Sequence, residues 1–145
     1  MRGRLAARRA QGVPVVVDAS TAVQWFANEP GSERAARLIE SGDALLAPDI
    51  MAVEAASAWW KKVRRAEMEA ADLADAVVHL FALGIGWVPA EALLTRAAQM
   101  ALEIDHPVYD CLYLALSSSR GTRLATADDR LRGAAVRLGI PIWAP

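Results

Sequence analysis

Four acidic side chains stand where this sequence passes from one element to the next, or just inside a helix. They are Asp18 in VVVDASTAV, Glu54 in PDIMAVEAASAWW, Asp110 in HPVYDCLYLALS and Asp128 in RLATADDRL. Each is embedded in apolar sequence, where a solvated charge is out of place. Charged groups are seldom buried unless they are paired or bind a metal. Carboxylates gathered at one point repel one another unless a cation joins them, so at least one should have a raised pKa in the metal-free protein. Hard oxygen donors of this kind suit Mg²⁺ or Mn²⁺. The chemistry such a group supports is metal-assisted attack of water on a phosphodiester.

Every one of these acids also has a plainer reading. Asp18 could cap the helix that follows, although Ser20 competes for that place. Glu54 is the only charge between Ile50 and Trp60 and could lie at the edge between two apolar stripes. Asp110 could simply favour the N-terminal end of its helix, but Asp105, just before Pro107, is the better candidate for the cap. Asp128 and Asp129 compete as the fourth acid. Thr126 and Asp129 have the spacing of a capping box, with Asp in place of Glu, which gives Asp129 a supporting role and turns Asp128 toward the crevice.

The elements that must carry these residues alternate between strand and helix. Strands are expected at 13–18, 44–47, 87–88, 122–125 and 140–143. Helices are expected from Ser20 through Phe26 and over 32–40, 49–65, 70–83, 90–104, 107–118 and 128–138, with Gly84 and Gly86 closing the fourth. Short β-branched strands joined by helices imply a mostly parallel sheet covered on both faces, an α/β/α sandwich. In such sheets the carboxyl ends of the strands line the ligand crevice, and Asp18 ends the first strand.

The 145 residues suffice for one domain with one core. Residues 1–13 carry Arg2, Arg4, Arg8 and Arg9 and no acid. They read as a loose basic tail or a misassigned start rather than a transit peptide, leaving 14–145 as a single domain. The whole chain has 16 basic and 17 acidic residues, a net charge of −1. Without the four tail arginines, 12 bases face 17 acids, a body near −5. A protein so charged does not grip nucleic acid by bulk electrostatics, so any phosphate contact must be local. The run Lys61, Lys62, Arg64 and Arg65 is the candidate, though a solvated helix end explains it equally well. No apolar run approaches a membrane span, so no membrane partner is expected. The lone Cys111 excludes an internal disulfide and fits a reducing cytoplasm. Neither His79 nor His106 has a metal-ligand partner at short spacing. Of Trp25, Trp59 and Trp60, the adjacent pair must point in different directions, so one of them is available to a partner.

A strand ending in Asp followed by Ser, a lone helical Glu after a Pro-bounded strand, a Tyr-Asp pair opening an apolar helix, and Thr-x-Asp after a strand together resemble the PIN-domain ribonucleases. VVVDAST, DHPVYDCLYLAL and LATADDRL resemble in particular the VapC toxins of toxin–antitoxin pairs. The resemblance runs from about Val13 to Pro145. It implies a Mg²⁺- or Mn²⁺-dependent endoribonuclease, an RNA substrate, a small inhibitory antitoxin protein and a homodimer. It places the catalytic group on Asp18, Glu54, Asp110 and Asp128, with metal held by Asp18, Asp110 and Asp128 and polar support from Ser20 and Thr126. The basic N-terminal stretch and the doubled acid Asp128-Asp129 depart from the pattern. A dinucleotide fold or a P-loop would need glycines where this chain has Asp-Ala-Ser. An aspartyl-phosphate phosphatase would need an acid at Ser20. The rival of a different class is a catalytically inactive fold of this type that only binds protein; the presence of all four acids argues against it.

Overall fold

The computed structural model describes residues 14–145. The sequence-based reading of 1–13 as a loose basic extension therefore lies outside the described residues.

Strand β1 is Val15–Val17, three fully buried valines. Helices α1 (Ala19–Trp25) and α2 (Ser32–Glu40) follow, then β2 (Leu45–Pro48), α3 (Ile50–Arg64), α4 (Ala70–Ala82) and β3 (Gly86–Val88). The chain continues through α5 (Ala90–Ile104), α6 (Val108–Arg120), β4 (Arg123–Ala125) and α7 (Asp129–Arg137). The four strands are all parallel in the order β3-β2-β1-β4. This is the α/β architecture that the alternating pattern predicts. The order runs outward from β1 to β3 and then returns to the other side of β1. Right-handed crossovers consequently put α1–α4 on one face and α5–α6 on the other. The reversal leaves a crevice beyond the carboxyl ends of β1 and β4. Asp18 follows β1 and Thr126 follows β4, so two of the motifs read from sequence meet there.

Helix α6 is the spine of the second layer. Cys111 through Ser117 are all buried, and the helix packs against β1, β2, β4 and α5. Residues wrapped on every side explain why its sequence is apolar almost without interruption. Gly121, at φ 59°, ends the helix in the left-handed conformation that glycine tolerates best. On the opposite layer Trp59 is fully buried and donates its indole N–H to the Val23 carbonyl at 3.2 Å, tying α3 to α1. Trp25 is half-buried and binds the Ala35 carbonyl at 2.7 Å. Trp60 is the member of the pair that faces outward, 49% exposed. Asp49 accepts from the Ala90 amide at 3.0 Å, while its own amide bonds the Val88 carbonyl at 2.9 Å. One residue thus fastens the start of α3 to the start of α5.

Several local expectations are corrected. Residues 140–143 form no strand beyond a single parallel bridge, Leu124 with Ile142. Pro141 has no N–H to continue the ladder, and the Trp143 carbonyl is taken by the Arg34 guanidinium at 2.8 Å. Asp105 does not cap α6. It closes α5 in a left-handed conformation, φ 51°, and Pro107 takes the capping position without a side-chain bond. Gly84, at φ 74°, turns the chain between α4 and β3; Gly86 opens β3, where a Cβ would come within 2.8 Å of a Leu46 methyl. Among the described residues no helix is long and apolar enough to cross a membrane.

Packing distinguishes the adjacent tryptophans. Trp59→Ala should lose about 3–5 kcal/mol of unfolding free energy through the cavity it leaves. Trp60→Ala, which gives up only a surface contact with Arg64, should change it by about 1 kcal/mol or less. Urea unfolding of both variants measures the difference.

Candidate active site

The carboxylate of Asp18 is 4% exposed and is held on both oxygens. It caps α1 by accepting from the Thr21 amide at 3.1 Å. Ser20 Oγ donates to it at 2.7 and 2.9 Å, and Thr126 Oγ1 donates to Oδ2 at 2.7 Å. Asp18, not Ser20, is therefore the cap. The strand stops at Val17, and Asp18 keeps extended backbone angles that aim its side chain at the first helical turn. Ser20 instead accepts from the Ala127 amide at 2.9 Å, and Thr126 Oγ1 accepts from the Asp128 amide at 3.0 Å. Hydroxyls from the ends of β1 and β4 thus stitch the two loops together around one buried acid.

Asp128 caps α7, its Oδ1 accepting from the Arg130 and Leu131 amides at 2.9 and 3.3 Å. The capping box assigned to Asp129 is overturned. Asp129 is the first residue of the helix proper, its side chain 93% exposed and paired only with Arg132 at 2.8 Å. The cap lies at Asp128, two residues beyond the Thr126 that a capping box would use, and Asp129 makes no bond back to the cap. Asp128 stays near enough to Asp18 for its charge to act there.

Glu54 and Asp110 come from opposite layers, and Glu54 lines the cleft beside Ser20. Glu54 sits one turn into α3 and accepts from the Tyr113 hydroxyl at 2.7 Å. Asp110 sits one turn into α6 and is hydrogen-bonded at Oδ2 to His106 Nε2 at 2.7 Å. The charge of Asp110 reaches Glu54, and that of Asp18 reaches Tyr113. A cleft of about 460 Å³ opens beside them, lined in part by Ser20, Glu54, Glu29, Lys62 and Ala127.

The model of the PIN domain matches residues 15–136. The chain belongs to the PIN-domain family. Ribonuclease VapC3 of Pyrobaculum aerophilum is 33% identical to it over 120 residues, 81% of this chain and 91% of the relative. This makes the chain a VapC-like PIN domain. Two crystal structures share the fold. PAE2754 of Pyrobaculum aerophilum matches with a TM-score of 0.63 at 21% identity, over 84% of this chain and 79% of its own. VapC20 of Mycobacterium tuberculosis, a toxin that cleaves the sarcin–ricin loop, matches with a TM-score of 0.68 at 17% identity, over 90% of this chain and 99% of its own.

Of the basic run singled out in sequence, this PIN domain turns only Lys62 into the cleft, where it pairs with Glu29. Arg64 stacks on Trp60, Arg65 pairs with Glu67 at 3.0 Å, and Lys61 is exposed outside the cleft lining. Sequence reasoning missed four contributors. His106 and Tyr113 hold two of the acids. Arg34 and Arg132 both reach the Thr126 carbonyl, at 3.5 and 3.0 Å, and brace the loop after β4. For His106 a signal was present: it lies one helical turn before Asp110. Arg34 and Arg132 lie far apart in sequence and gave none.

Among the described residues no three Asp, Glu, His or Cys side chains already converge as a ligand set. The donors nevertheless fit a hard divalent cation in kind. They are all carboxylate oxygens. Among the described residues, Glu54 Oε2, Asp110 Oδ1 and Asp128 Oδ2 receive no hydrogen bond, while the other oxygen of each is held. No Lys or Arg among the described residues neutralises any of the four acids.

Burial pushes the Asp18 carboxyl up to about 6; the Thr126, Ser20 and Thr21 hydrogen bonds pull it down, and Asp128 adds a smaller push upward. Glu54 is also raised, by burial first and by Asp110 after the opposing bond from Tyr113. The upward direction matches the expectation for clustered carboxylates, but desolvation is the main cause and mutual repulsion a lesser one. For Asp18 the sign is definite. The folded state holds this proton more tightly than the unfolded chain does, so stability contributed by the protonated acid is present below about pH 4 and is lost as pH rises through 6. The shift from 3.8 to about 6 amounts to about 3 kcal/mol. In metal-free buffer, Asp18→Asn should match or exceed the wild type in stability at pH 7. It should also flatten the fall between pH 4 and 6, as read by urea unfolding across pH.

Proposed function

We propose that this VapC-like PIN domain is a Mg²⁺- or Mn²⁺-dependent endoribonuclease and the toxin of a toxin–antitoxin pair. The observation that carries the reading is a set of four acids from both layers of the fold, coupled in pairs by their charges, three of them with an oxygen left open and, among the described residues, none paired with a lysine or arginine. VapC3 supports RNA as the substrate by its name, and VapC20 supports the toxin role.

Asp18, Asp110 and Asp128 would hold one or two divalent ions, directly or through water. When bound, such an ion activates water and neutralises charge on the phosphodiester. Ser20 and Thr126 fix the rotamer of Asp18. Glu54 either joins the metal ligands or orients the attacking water. Its upward-shifted carboxyl suits it to take a proton at the open Oε2. Lys62 is the cation best placed to meet a phosphate, once released from Glu29. The acidic body makes sequence-independent binding weak, so selectivity comes from RNA shape and a short motif displayed in a loop.

The partners that go with this reading are an antitoxin that blocks the acids and a second copy of the chain. Outward apolar groups on α3, Val53 and Trp60, offer surface for one of them. The free thiol Cys111 is buried and agrees with a cytoplasmic setting. The rival, an inactive PIN-like protein-binding module, predicts no cleavage by the wild type.

The test is to map new RNA ends after expressing the wild type and Asp110→Asn. The wild type should yield 5′-phosphate and 3′-hydroxyl ends at a dominant structured site. Asp110→Asn should lose more than the roughly 10–100-fold typical of a supporting residue. Purified enzyme should stop in excess EDTA. Cleavage persisting in EDTA, ends bearing cyclic phosphate, or identical end maps for the two proteins would refute the reading.

A further inference from the structure

We infer that Tyr113 and His106 are the positioning residues of the metal site, each holding one oxygen of an acid so that the other stays open to a cation. The inference rests on the proposed function and extends it to two residues outside the acidic set.

Glu54 lies inside α3 and Asp110 in the first turn of α6, and among the described residues neither carboxylate accepts from a backbone N–H; each is held by a side chain alone. Asp18 and Asp128, by contrast, cap helices. The side-chain donors to Glu54 and Asp110 both come from the neighbourhood of α6. Tyr113 lies three residues after Asp110 and is 1% exposed, with its hydroxyl 2.7 Å from Glu54 Oε1. His106 lies four residues before Asp110 and is also buried, with Nε2 2.7 Å from Asp110 Oδ2. A carboxylate only accepts, so His106 carries hydrogen on Nε2. Its backbone fixes it further: the amide bonds the Ala101 carbonyl at 3.2 Å, and the carbonyl lies 3.7 Å from the Cys111 thiol. Neither ring can swing away without disturbing the core.

The chemistry of the donors matters as much as their place. A Lys or Arg at either position would fix the carboxylate but cancel its charge and compete with the metal. A phenol fixes Glu54 while leaving the charge available. Removing its hydroxyl frees Glu54 to rotate, so part of the cation's binding energy goes into ordering it again. Groups that orient metal ligands in this way commonly alter affinity or activity by about 10–100-fold when removed.

The experiment measures Mn²⁺ binding by calorimetry and RNA cleavage kinetics on wild type, Tyr113→Phe, His106→Leu and His106→Gln. Gln carries an amide N–H close to where His106 Nε2 lies. Tyr113→Phe and His106→Leu should each weaken Mn²⁺ binding and lower kcat by about 10-fold or more, with KM for RNA within twofold of wild type. His106→Gln should recover most of what His106→Leu loses. Circular dichroism checks that each variant is folded; should His106→Leu unfold, Tyr113→Phe and His106→Gln carry the test. Wild-type Mn²⁺ affinity and kcat in Tyr113→Phe, or a His106→Gln no better than His106→Leu, would overturn this inference alone. Wild-type protein that neither binds Mn²⁺ nor cleaves RNA would overturn the reading of the site on which it rests.

Discussion

A buried carboxylate governs the architecture of this site. Asp18 is removed from water at the point where β1 gives way to α1, and desolvation alone would favour its protonated form. Three hydrogen-bond donors offset part of that penalty. The Thr21 amide, the Ser20 hydroxyl and the Thr126 hydroxyl all donate to it. Those bonds cross from the end of β1 to the end of β4, so they also close the two strands' loops on each other. The same hydroxyls accept amides from Ala127 and Asp128 and thereby set where α7 begins. Orientation of the acid and the path of the chain after β4 are one network.

The other three acids are arranged on a common principle. Each is anchored through one oxygen by a donor other than lysine or arginine: backbone amides for Asp128, a phenol for Glu54, an imidazole for Asp110. A protein optimised only for stability would pair such acids with lysine or arginine. Here the cations are spent elsewhere, on Thr126 and Trp143 carbonyls (Arg34, Arg132) and on surface acids (Arg65, Arg96). Among the described residues no lysine or arginine thus balances these carboxylates, a pattern that favours function over stability. The pairing of Lys62 with Glu29 at the edge of the cleft follows the same pattern, a cation held close to the acids but not on them.

Much of this was legible in the sequence because it follows from periodicity and composition. Three valines before Asp18, proline-bounded strands and apolar helices fixed the order of elements, and the four acids were visible as charges in apolar surroundings. What was not legible depends on single-residue offsets. Whether Asp18 or Ser20 caps α1, and whether Thr126 or Asp128 caps α7, turns on where a strand stops, and spacing cannot resolve one or two residues. Asp105 read as a cap because Asp commonly is one, but here it takes the left-handed position that ends α5. The final strand failed partly for a reason within it, the missing N–H of Pro141, and partly for one outside it, the capture of the Trp143 carbonyl by Arg34. Nothing local marks Tyr113, because its hydroxyl's partner, Glu54, lies 59 residues away in sequence.

The central claim is that the acids around Asp18 form one cation site whose repulsion and desolvation the metal-free fold must bear. The most direct test is the effect of Mg²⁺ on unfolding free energy at pH 7, compared between the wild type and Asp18→Asn. A ligand that binds only the folded state stabilises it in proportion to the logarithm of its concentration. The account predicts a stabilisation of the wild type that rises with the logarithm of Mg²⁺ in the millimolar range and is absent in Asp18→Asn. Equal stabilisation of both proteins would contradict it.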